Sequence, residues 1–100
     1  MLNQVILVGR LSHDLEIKEI EEDKKELDIV LAVPRSFKNS DGIYETDFIN
    51  CKIYGNMADS TFKYCKKCDV LGVRGRLQVV DNKTVVIAER VSFLTSKGVK

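Results

Sequence analysis

Between residues 4 and 94 the chain repeatedly shows the two-residue hydrophobic alternation of a β-strand, and only once the spacing of a helix. QVILVGRL (4–11), DLEIKEI (14–20), ELDIVLAV (26–33), DFINCKIYG (47–55), DVLGVRGRLQVV (69–80) and KTVVIAERVSFL (83–94) all read as strands. NMADSTFKYCKK (56–67) is the exception, with Met57, Ala58, Thr61, Phe62 and Cys65 forming an i, i+3/i+4 stripe. Asn56 is read as its N-cap, Asp59 suits the first turn, and Lys66 and Lys67 suit the C-terminal end of the dipole. Turns fall at EEDKK (21–25), at NSDG (39–42) and at DN (81–82). Pro34 cannot donate to a ladder, so its strand is expected to end there or to lie at an edge, delivering Arg35, Phe37 and Lys38 to a loop.

Counting 4–20 as one long bent strand gives the order β-β-β-α-β-β. That is the order of an all-β, five-stranded OB-fold Greek-key barrel with one short helix between strands three and four. A small barrel core needs one apolar face per strand. Leu27, Ile29, Leu31 and Val33 supply one, Ile49, Cys51 and Ile53 another, and Leu71, Val73, Leu77 and Val79 are expected to share a third. With 100 residues, a single domain is expected over 1–94, followed by a short tail at 95–100. No apolar run approaches the roughly 20 residues of a membrane helix, and no signal peptide is read at the start, so a cytoplasmic location is expected, without a membrane partner.

The faces opposite the core carry the functional signal. Phe48, Asn50, Lys52 and Tyr54 share the outward face of one strand, and Arg74, Arg76 and Gln78 that of another. With Arg35, Phe37 and Lys38 they make a surface of aromatics interleaved with cations. Such a surface suits single-stranded nucleic acid, where bases stack on rings and Lys or Arg neutralise phosphates. Charge distribution points the same way. Residues 14–28 hold eight acidic groups and three lysines, so the rest of the chain has an excess of six basic groups. The acidic segment reads as a solvated hairpin.

Catalysis has little support. Three cysteines do not make a disulfide framework, and the CKKC at 65–68 follows the helix where a redox motif would precede one. Cys51 and His13 are the only further soft ligands, so neither a metal nor another cofactor is expected, nor an enzyme.

NQVILVGRLSHDLEIK (3–18), LAVPRSFKNSDGIYETDFINCKIYG (31–55), FKYCKKCDVLGVRGRLQ (62–78) and VVIAERVSFL (85–94) together resemble the bacterial single-stranded DNA-binding protein family. The resemblance covers nearly the whole chain. It implies base stacking on Phe37, Phe48 and Tyr54, and homotetramers, or dimers, formed through the first strand and its neighbours. It also implies a role in DNA replication, recombination or repair, with proteins of those processes as possible partners. Some features depart from the family. The last loop is short (80–84), residues 1–100 include no acidic C-terminal tail of the kind the resemblance implies, and Lys67-Cys68 stands where the family has Lys-Gly, which calls for an unusual backbone at Cys68. The short loop, the missing tail and the acidic hairpin at 19–26 support an alternative, an OB interaction module of a primosome, replication-restart or mobile-element complex with weak DNA binding.

Overall fold

The computed structural model describes residues 1–21 and 24–94. Six strands and one helix follow one another: β1 (Val5–Leu11), β2 (Glu16–Glu21), β3 (Lys24–Lys38), β4 (Tyr44–Tyr54), α1 (Asn56–Tyr64), β5 (Val70–Val80) and β6 (Lys83–Phe93). β1 and β2 are two halves of the expected bent strand. The end of β1 pairs with β3 through Arg10↔Ala32 and Leu11↔Leu31, and β2 continues along the same strand from Glu16↔Asp28. Counted as one, they close a five-stranded OB barrel in the order β1/β2–β3–β4–β6–β5 and back to β1. All pairings are antiparallel except the short β4–β6 contact at Cys51↔Val86 and Lys52↔Ile87.

Alternation fills the barrel. Leu27, Ile29 and Leu31 meet Ile53, Cys51 and Ile49 across the β3–β4 ladder, and Leu71, Val73, Val86 and Ala88 complete the core with Leu11. Two glycines permit the close crossings. A Cβ at Gly9 would press on Ala32 and Val33 of β3, and one at Gly75 would overlap the backbone carbonyl of Ile87. Gly75 lies at a β-bulge, where β5 changes register against β6.

α1 seals one end of the barrel with Ala58 and Thr61. Its start differs from the expectation: Gly55, at φ 70°, occupies the N-cap without a side-chain bond, and Asn56 is already helical. Gly55 is instead tied to β3 by donating its N–H to the Lys25 carbonyl at 2.9 Å. Asp59 lies in the first turn as expected and pairs with Lys25 at 3.0 Å. The helix ends at Tyr64, leaving Lys66 and Lys67 beyond it, and Phe62 is exposed instead of joining the buried stripe.

Two further corrections concern strand ends. β3 does not stop at Pro34 but continues to Lys38, pairing Pro34↔Thr46 and then shifting register. Beyond Ala32 it has β4 as its one ladder partner, so the proline sits at an edge that tolerates its missing donor. Arg35, Phe37 and Lys38 therefore stand on a projecting two-stranded arm. Leu77 and Val79 keep the parity of Leu71 and Val73 but are exposed, because past the bulge the β5–β6 hairpin runs out beyond the core. The NSDG and DN turns stand as read. Asn39 Oδ1 accepts the N–H groups of Asp41 and Ile43, and both Asp81 and Asn82 have positive φ, as a tight primed hairpin turn requires. Residues 22–23 of the expected EEDKK turn, and the expected 95–100 tail, lie outside the described residues.

Candidate nucleic-acid interface

Alternation along β4 turns Tyr44, Thr46, Phe48, Asn50, Lys52 and Tyr54 to one side, away from the core. Their β3 partners on that side include Glu26 (opposite Tyr54), Asp28 (Lys52), Val30 (Asn50) and Ala32 (Phe48). Phe48 is 63% exposed and Phe37 62%, while Tyr54 is more sheltered at 38%. The expected face of strand three is thus present, with two broad aromatic surfaces open to a ligand. Phe37 stands on the arm, where the register shift between Pro34 and Lys38 takes it out of strict alternation with Phe48. Beside it the Lys38 ammonium lies over the ring of Tyr44, 5.6 Å from its centroid. Tyr44 was not singled out in the sequence, although its even spacing from Phe48 places it on the same side.

Most of the expected phosphate ligands have carboxylates close by. Arg35 is clasped by Asp47 and by Glu45, the latter at 2.8 Å. Lys52 Nζ sits 3.0 Å from Asp28 and 3.6 Å from Glu26. Arg76 reaches Glu89 at 3.2 Å. The hydrogen bond to Asp28 holds Lys52 in its charged form and raises its pKa. Burial beside Glu26 and Asp28 pushes the Tyr54 phenol up as well. Lys38 and Arg74 have no carboxylate within salt-bridge distance among the described residues.

Strand register brings one set together. Arg76 opposes Ile87, Ile87 neighbours Lys52, and Lys52 opposes Asp28, so the four form a row across β5, β6, β4 and β3. Arg74 lies elsewhere. It opposes Ile6 on β1 and Arg90 on β6, beside the exposed Val8. The sequence also left out what lies across from Lys52: a groove of about 310 Å³ between the β3–β4 face and the β5–β6 turn. Asp28, Asn50, Lys52, Val80, Asp81 and Val85 are among its lining residues. Glu26 and Asp28 alternate with Leu27 and Ile29, so their outward direction was readable. A strand's partner is not visible in its own residues, so in the sequence both read as part of the solvated acidic segment.

A closed five-stranded barrel with aromatics and cations on the outward face of its second and third strands defines an OB-fold domain of the oligonucleotide-binding kind. A profile of the Single-strand binding protein family matches residues 2–94, and the chain belongs to that family. It is 38% identical over 106 residues to Single-stranded DNA-binding protein B of Bacillus subtilis (strain 168), covering 97% of this chain and 94% of that one. With the single-stranded DNA-binding protein of Oceanobacillus iheyensis it shares 40% over 107 residues, spanning 98% of its own length and 66% of the relative's. In fold it matches a crystal structure of a deletion mutant of the single-stranded DNA binding protein from Thermus aquaticus. The TM-score is 0.77 at 24% identity, covering 97% of this chain and 52% of that one. Among the described residues no helix is long and apolar enough to cross a membrane.

Proposed function

We propose that the chain is a non-enzymatic, largely sequence-independent single-stranded DNA-binding protein of DNA replication, recombination or repair, acting in the cytoplasm. One observation carries the reading: Phe48 stands 63% exposed on the outward face of β4, with Asn50, Lys52 and Tyr54 in line behind it. A base laid on such a ring gains roughly 1–3 kcal/mol, whatever its identity. Phe37 and Tyr54 extend the stacking surface, Lys38, Arg74 and Arg76 meet the phosphates, and Arg35 joins them when its clasp with Asp47 and Glu45 opens. The relatives' names support the same activity. Ile6 and Val8 are 70% and 54% exposed on β1, an apolar edge that suits assembly into a homotetramer or dimer.

The test is fluorescence anisotropy of a labelled thymidine oligomer at low and moderate salt, beside a duplex of equal length. Tight single-strand binding that weakens with salt, and little duplex binding, is expected. Weak binding in every condition refutes the proposal. The internal pairing of Arg35, Lys52 and Arg76 would then favour the second reading, an OB module serving a replication-restart or mobile-element complex through its exposed aromatics.

A further inference from the structure

The groove beneath the β5–β6 turn is poorly built for phosphate. Lys52 faces Asp28 and Glu26 at 3.0 and 3.6 Å, Lys18 lies 3.8 Å from the other oxygen of Asp28, and Asp81 and Lys83 near the turn offset each other. A phosphate entering here meets no net positive charge, because each cation already has a carboxylate partner. Yet the same atoms match a nucleobase. Lys52 has three N–H groups, two of which suffice for its carboxylates, and Asp28 is half-exposed with lone pairs left to accept. The pair therefore presents a donor and an acceptor side by side. Val30, Val80 and Val85 wall the groove, whose 310 Å³ lies at the small end of the roughly 300–1,000 Å³ of ligand pockets.

We propose that this groove is a nucleobase-edge subsite, in which the Asp28 carboxylate accepts from, and the Lys52 ammonium donates to, the Watson–Crick edge of an unpaired base. The inference rests on the single-stranded DNA reading above, and it changes the part of Lys52 from phosphate ligand to base ligand. Every base carries a donor next to an acceptor on that edge: N6–H and N1 in adenine, N4–H and N3 in cytosine, N1–H and O6 in guanine, N3–H and O4 in thymine. A carboxylate–ammonium pair fits all four and so reads "a base" without reading which one. In a duplex those edges are occupied, so the subsite selects single strands by hydrogen bonding as well as by stacking. Phe48, two residues before Asn50 on the same face, supplies the ring from which the strand passes into the groove.

The test compares a thymidine oligomer with the same oligomer carrying N3-methylthymine, which lacks the N3–H donor, on the wild-type protein and on Asp28→Ala. Methylation is expected to weaken wild-type binding about ten-fold, the scale of one charge-assisted hydrogen bond, and Asp28→Ala binding less than about two-fold. Equal methylation losses in the two proteins overturn the subsite while leaving single-strand binding itself intact. If instead the unmodified oligomer binds no better than duplex, the underlying reading fails. A second readout is the salt dependence of Lys52→Met. An unchanged log–log slope is expected, and a slope shallower by about 0.7, one phosphate contact, overturns the proposal.

Discussion

Arg35 and Asp47 close a two-point clasp across the arm, with Nη2 2.9 Å from Oδ1 and Nε 3.1 Å from Oδ2. The planar guanidinium matches the carboxylate fork, and the hydrogen bond holds the Asp47 carboxyl below the usual carboxylate value. Because that value is lowered on folding, the clasp's contribution is present above the unfolded carboxylate pKa. It is lost as pH falls through the lowered value. Both groups are exposed, so the clasp orders the arm more than it stabilises the barrel.

Asp47→Asn combined with Glu45→Gln keeps the hydrogen-bond acceptors but removes both charges that hold Arg35, freeing it for phosphate. Affinity for a thymidine oligomer is expected to rise, and the slope of log K against log salt to steepen by about 0.7. A salt series by anisotropy checks it. An unchanged slope would assign Arg35 to the arm alone.

Phe48→Ala tests the stacking surface. The ring is mostly exposed, so unfolding midpoints should shift little, while single-strand affinity falls by roughly 1–3 kcal/mol. Calorimetry beside anisotropy separates the two effects, and equal losses in both would make Phe48 a packing residue.

Leu77 and Leu71 share strand parity on β5, yet one is 46% exposed and the other fully buried. Leu71→Ala should cost about 2–5 kcal/mol in denaturant unfolding and Leu77→Ala well under 1. The contrast shows what could be read from the residues. The strand order, the single helix and the outward direction of Phe48, Lys52 and Tyr54 follow from local alternation, which the sequence displays. Where a strand leaves the core does not. It depends on the bulge at Gly75 and on which partner Ile87 meets, both of them long-range facts. The ion pairs of Lys52 were hidden for the same reason, because Asp28 lies 24 residues away in the chain.

The three thiols differ in their surroundings. Cys51 is buried on the core side of β4, and burial pushes its thiol up to about 12. Cys65 is also buried, and Cys68 is exposed. A disulfide-exchange reagent should therefore titrate one thiol quickly in the native protein and three after denaturation. A Cys68→Ser variant should lose the fast phase.

Cys68 itself adopts φ 81°, the left-handed region in which a side chain with a Cβ is strained by about 1–2 kcal/mol. The backbone is held there from both sides. Its N–H donates to the Leu11 carbonyl at 2.9 Å, and its own carbonyl accepts from Arg10 Nη1 at 2.8 Å. Those bonds fasten the link between α1 and β5 to the end of β1, so the chain cannot relax the dihedral without releasing β1. Cys68 in place of the glycine that the resemblance implies is the sign of this conflict that the sequence displays. Cys68→Gly removes the clash but admits more freedom in the unfolded chain, which offsets part of the gain. A net stabilisation of about 1 kcal/mol is expected, read as a rise of roughly 4–8 °C in Tm. Cys68→Ala retains the Cβ and should show no such rise, so the pair of variants separates backbone strain from loss of the thiol.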